Sequence, residues 1–115
     1  MNSVSSGIQV SNIDKLRNAS PGAANAFRAL REAADGHGPL EPKHRELTLL
    51  AGFATTRNES GFRNHCRRAR DAGASLQEVE QTVILLLGTS LGLVPVVEAL
   101  DWAHGEMLSS ASTTS

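Results

Sequence analysis

Apolar residues recur at helical spacing along nearly the whole chain, and no stretch alternates as a strand would. Ser20 followed by Pro21 offers an N-cap with proline at the first helical position. Ala24, Phe27, Leu30 and Ala34 then place one face of a helix in apolar surroundings, and Gly36 with Gly38-Pro39 ends it. Pro42 restarts a helix to about Arg57, with Leu49, Leu50, Phe53 and Ala54 in its stripe. Asn58 to Gly61 interrupts the pattern. The next helix runs to Ala72 and stops at Gly73, with Phe62, His65, Ala69 and Ala72 on one face.

Ser75 and Glu78 form a capping box, the reciprocal side-chain and backbone bonds that open a helix. Leu76, Val79, Val83, Leu86 and Leu87 follow, weakened by Gly88 to Gly92. A last helix is predicted from about Val94 to Leu108, its stripe comprising Leu93, Val96, Val97, Leu100, Ala103 and Met107. Val10 to Asn18 has the makings of a short helical turn. Residues 1–9 are read as disordered and residues 109–115 as a polar tail. The pattern predicts an all-α fold of about five to six helices, with one domain over residues 10–108.

Composition narrows the function classes. The chain has 115 residues, 40% hydrophobic and 20% charged, with a net charge of −1. That balance argues against a general nucleic-acid or membrane-surface binder, which would be basic. The apolar run Val83 to Leu87 is too short to cross a bilayer. The polar start, Met1 to Gly7, has no signal-peptide pattern, and the expected location is cytoplasmic. With three Phe, one Trp and no Tyr, the core must rely on Leu, Val, Ile and Ala. Such a core is modest at this length, so subunits are expected to share burial. Val83 to Leu87, apolar on every side, would then face its own core on one side and a partner subunit on the other. The alternative is a central helix wrapped by its own neighbours.

Two ionisable residues interrupt the apolar faces. Glu46 lies four residues before Leu50 and seven before Phe53, so it shares their face. His65 sits inside its own apolar stripe. An inward acid and an inward histidine on consecutive helices can pass a proton, as general acid–base catalysis requires. The competing reading is structural: a satisfied core histidine, and a glutamate complementing the helix dipole. Level matters too. In a plain hairpin turning at Asn58, Glu46 lies roughly 18 Å from the turn and His65 roughly 10 Å. The pair then meets only if the helices cross obliquely, or if a water or a second subunit bridges them.

Arg63, Arg67 and Arg70 share a helix face, while Arg68 lies off it. The three could attract a carboxylated substrate, pair with acids of another subunit, or simply be solvated. Cys66 is the one cysteine, so no intrachain disulfide can form. It stands about 100° around the helix from His65 and reads as a small buried filler rather than a nucleophile. His37, His44 and His104 have no metal-ligand spacing, and no metal is expected.

Arg45-Glu46-Leu47, Asn58 to His65, and Ala72-Gly73-Ala74-Ser75 with Glu78 resemble the carboxymuconolactone decarboxylase and alkyl hydroperoxidase D superfamily over about residues 40 to 103. The peroxidase branch of that superfamily carries a glutamate, twelve residues on the first cysteine of C-x-x-C, and a histidine four residues after the second. Here those places hold Glu46, Asn58, Gly61 and His65. The acid and the histidine match; both cysteines are replaced. Disulfide-cycling peroxide reduction needs an attacking and a resolving thiol, so it is not expected.

The decarboxylase branch also lacks the pair. The resemblance implies Glu46 and His65 as proton-transfer residues, with Asn58, Gly61, Arg63 and Arg67 toward a substrate. It implies a cofactor-free lyase or isomerase acting on a small carboxylated or lactone-like molecule, and a trimer or hexamer. True decarboxylases usually carry a further histidine just after the asparagine, where this chain has Glu59. The alternatives are peroxidase-type activity through Cys66 alone, and a non-catalytic oligomeric binding or scaffold protein.

Overall fold

The computed structural model describes residues 11–113, which form six α-helices: α1 Asn12–Ala19, α2 Pro21–Asp35, α3 Pro42–Thr55, α4 Glu59–Asp71, α5 Leu76–Ile84 and α6 Leu93–Thr113. No strand occurs among the described residues. The expected all-α class is therefore observed. The segment read as disordered, residues 1–9, lies outside the described residues.

Contacts divide the chain at Pro39 into two compact units. The first holds α1 and α2, which pack on each other. Ser20 caps α2 as its spacing predicts, its hydroxyl accepting from the Ala23 amide. The second unit holds α3 to α6 and every candidate site residue. In it α3 packs on α4, and α4 and α5 both pack on α6.

Local chemistry explains the boundaries. Asn58 is the N-cap of α4, its side-chain oxygen accepting from the Gly61 amide at 2.9 Å, so the helix starts at Glu59. Gly73 follows the C-cap of α4 at φ +100°, where a side chain would be strained. Ser75 and Glu78 make the predicted capping box on α5. Pro95 falls in the first turn of α6, where its missing N–H has no intrahelical acceptor to lose. That helix starts one residue earlier than predicted. It also continues through Ser109 to Thr113, part of the segment read as a polar tail.

The core joins Leu50 and Ala54 of α3, Phe62, Cys66 and Ala69 of α4, Val79 and Val83 of α5, and Val96, Ala99, Trp102 and Ala103 of α6. It uses aromatics more than composition suggested: Phe62 is fully enclosed and its ring packs against Trp102, with centroids 5.7 Å apart.

The run Val83 to Leu87 departs from its prediction. The α5 helix ends at Ile84, and the following leucines form a turn. Val83 is buried, whereas Ile84, Leu85 and Leu87 are exposed. Among the described residues, neighbours enclose Val83 and partly cover Leu86 but leave Ile84, Leu85 and Leu87 exposed.

Candidate functional site

Glu46 and His65 meet directly. His65 Nδ1 lies 2.6 Å from Glu46 Oε1, with the two residues 3% and 9% exposed. With the carboxylate ionised, the Nδ1–H donates to it. Of the conditions set for the meeting, a bridging water and a second subunit are not needed, since the contact is direct within one chain. The connection is not a point at Asn58, because α3 ends at Thr55 and α4 begins at Glu59. Measured from those ends, Glu46 stands roughly 14 Å along its helix and His65 roughly 9 Å. A glutamate side chain covers such an offset without a bridging water or a second subunit.

The pair is held from two sides. The Phe53 ring stacks on the His65 imidazole, with centroids 5.0 Å apart and planes 29° from parallel. Gly61 makes room for that ring: a Cβ there would stand 2.5 Å from two Phe53 carbons. The second oxygen of Glu46 lies 3.8 Å from Arg45 Nε. Glu46 also lines an open depression of about 310 Å³, together with Pro42, Arg45, Arg68, Asp71 and Ala72. The depression is shallow and open to solvent. Glu46 is thus the pair's member at the depression wall.

The other candidates fall elsewhere. Asn58 caps α4, and Gly61 supplies the amide it accepts from. Arg63 and Arg67 reach α6, where Nη1 of each bonds the Glu106 carboxylate at 3.0 and 2.7 Å. Arg70 donates to the Glu106 backbone carbonyl at 3.0 Å. The arginine face is therefore neither simply solvated nor free for a substrate: it clamps α4 to α6 through one acid of the same chain. Glu106 was missed in the sequence, although its place beside Ala103 and Met107 in the α6 stripe signalled an inward acid. Arg45 and Arg68 at the depression were not foreseen either. Arg68 follows His65 by three residues, so spacing alone put it on the site's face.

Cys66 is fully buried, as its expected role of core filler requires. Burial, reinforced by the charge of Glu106, pushes its thiol up to about 11. The thiolate, which is the nucleophile, is scarce at neutral pH.

The Glu106 clamp carries a pH dependence. Burial pushes its carboxyl up, but hydrogen bonds from Arg67 and Arg63, with their charges, outweigh it and hold the carboxyl below its ordinary value of 4.5. A group depressed in the folded state adds stability that is present above its unfolded value and is lost as pH falls through its folded value. Urea midpoints should show Glu106→Gln less stable than wild type at pH 7, with the gap closing below about pH 4.5. A gap that stays constant to pH 3 would rule out the clamp.

Among the described residues, no helix is long and apolar enough to cross a membrane. No group of three or more His, Cys, Asp or Glu there could hold a metal ion. No curated protein and no solved structure matches the chain. The model of the carboxymuconolactone decarboxylase family matches residues 21–104, taking in α2 as well as the segment whose motifs carried the resemblance. With most of its length matched and the motif's acid and histidine in direct contact, this chain belongs to the carboxymuconolactone decarboxylase family.

Proposed function

We propose that the protein is a cofactor-free lyase that removes carbon dioxide from a small carboxylated, lactone-like molecule. The observation that carries this reading is the buried 2.6 Å contact between Glu46 and His65 at the wall of a small open depression. When a carboxylate conjugated to a lactone carbonyl leaves as carbon dioxide, its electron pair passes into the substrate's own enolate. The step then needs one proton delivered to carbon. Glu46, at the wall, gives that proton in its protonated form. His65 relays the replacement to it, and water supplies the proton in the end. One carbon–carbon bond breaks and one carbon–hydrogen bond forms, with no electrons gained or lost.

The absence of thiols at positions 58 and 61, and the buried, weakly acidic Cys66, favour this chemistry over peroxide reduction. A cytoplasmic setting is in keeping with a single free cysteine. The test is carbon dioxide release from carboxymuconolactone and related carboxylated lactones by wild type and Glu46→Gln. Equal activity in both would end the catalytic reading. No turnover by either, with assembly intact, would favour a binding or scaffold role.

The same proposal includes a homo-oligomer, a trimer or hexamer. Support comes from Ile84, Leu85, Leu87, Leu93, Val94 and Val97, which gather exposed apolar surface around the α5–α6 connection. Leu85 is 64% and Val94 70% exposed, and exposed apolar residues grouped in this way mark interaction surfaces. Light scattering should give a mass several times 12.2 kDa for wild type. Leu85→Lys with Val94→Lys should reduce it toward one chain. A wild-type mass of one chain would refute the assembly.

A further inference from the structure

Of the four arginines of α4, Arg63, Arg67 and Arg70 reach across to Glu106. Arg68 takes no part in that clamp. It lies on the exposed side of α4 and lines the depression that Glu46 opens on, with Arg45 also on the wall. Two carboxylates share the wall. Glu46 is engaged by His65, and Asp71 lies 3.4 Å from Arg70. A guanidinium at the rim of a small depression, three residues from the histidine of the pair, is placed to receive an anion.

We propose that Arg68 is the residue that binds the substrate's retained carboxylate and so sets the specificity of this site. This rests on the reading of Glu46 and His65 as the proton-transfer pair. Charge requires that this carboxylate be one the product retains. A cation bound to the carboxylate that departs would stabilise the ground state, because that group loses its charge in the reaction, and would slow the step. A cation on a carboxylate that persists holds substrate and transition state alike. Its removal therefore weakens binding and leaves the chemical step alone. Guanidinium meets a carboxylate through two parallel N–H bonds, so lysine is a poor substitute.

The experiment compares wild type, Arg68→Gln, Arg68→Lys and Arg67→Gln. Two readouts are taken: steady-state decarboxylation of a dicarboxylated lactone, and calorimetric binding of adipate as an unreactive dicarboxylate probe. Arg68→Gln should raise KM and the adipate Kd by about 10- to 100-fold, with kcat within about threefold. Arg68→Lys should recover only part of that loss. Arg67→Gln should change neither quantity, although it lowers stability by loosening the Glu106 clamp.

Turnover with a KM indifferent to Arg68 overturns this proposal and leaves the lyase reading standing. Adipate binding that depends on Arg68, with no turnover on any carboxylated lactone, supports the anion site and overturns the lyase reading. A kcat that falls as far as KM rises overturns the assignment to a retained carboxylate. No adipate binding by wild type, at concentrations where turnover saturates, does the same.

Discussion

Glu46→Gln is expected to abolish most turnover while leaving the fold nearly intact, and Glu46→Ala to damage both. Glutamine keeps a side-chain oxygen where Nδ1–H of His65 donates, so the buried imidazole stays partnered. It cannot carry an acidic proton. Loss of a positioned general acid is worth about 10²- to 10⁴-fold in rate, and carbon dioxide release under saturating substrate would show it. Alanine removes the partner altogether and strands His65 in a site that is 9% exposed. Breaking a buried pair from one side costs about 3–5 kcal/mol, a large part of the stability of a small domain. Urea unfolding should therefore rank wild type first, Glu46→Gln close behind, and Glu46→Ala far below. Equal stability of the glutamine and alanine variants would mean that the contact contributes little to the fold.

Gly61 gives the second large effect. Alanine at this position sets a methyl group 2.5 Å from the Phe53 ring, inside any tolerable contact. The ring is only partly buried and can shift, but any shift disturbs its stack on His65. Overpacking of this kind costs about 1–3 kcal/mol. Activity should fall with stability, since a displaced Phe53 frees the imidazole to rotate away from Glu46. Trimming the ring with Phe53→Leu should be mildly destabilising alone and should restore part of the loss in Gly61→Ala. The double-mutant cycle measures that coupling directly. If the two changes are additive, the packing account fails.

The same geometry bears on the expected absence of disulfide-cycling chemistry. The second cysteine of the peroxidase pair would need the space that Phe53 now fills, and the first would displace the Asn58 cap. The Asn58 cap and the Phe53 packing at Gly61 thus leave no room for a dithiol at these two positions. Asn58→Cys with Gly61→Cys should yield no working dithiol until Phe53 is also trimmed.

Much of this was legible in the chain's pattern. Spacing and capping residues located the helices, because a helix boundary is a local matter of backbone donors, side-chain acceptors and glycine's tolerance of positive φ. Ser20, Asn58 to Gly61, Gly73, and Ser75 with Glu78 are such signals. The inward direction of Glu46 and His65 was legible for the same reason, since position along a helix sets angle around it. Spacing also matched the two residues to a known motif and showed both thiols missing.

Tertiary structure decided what helical phase cannot encode. The relative level of two helices depends on how α3 and α4 dock, so only the fold could bring Nδ1 and Oε1 within 2.6 Å. An arginine stripe has the same period whether it faces water, a substrate or another helix; the approach of α6 assigned it to Glu106. The apolar run after Val83 reads as continuous helix, yet the chain turns there and leaves Leu85 outside. Local chemistry determined the helices and the way their side chains point. Long-range packing chose which of those side chains meet, because contacts between residues far apart in sequence follow from docking and leave no period in the chain.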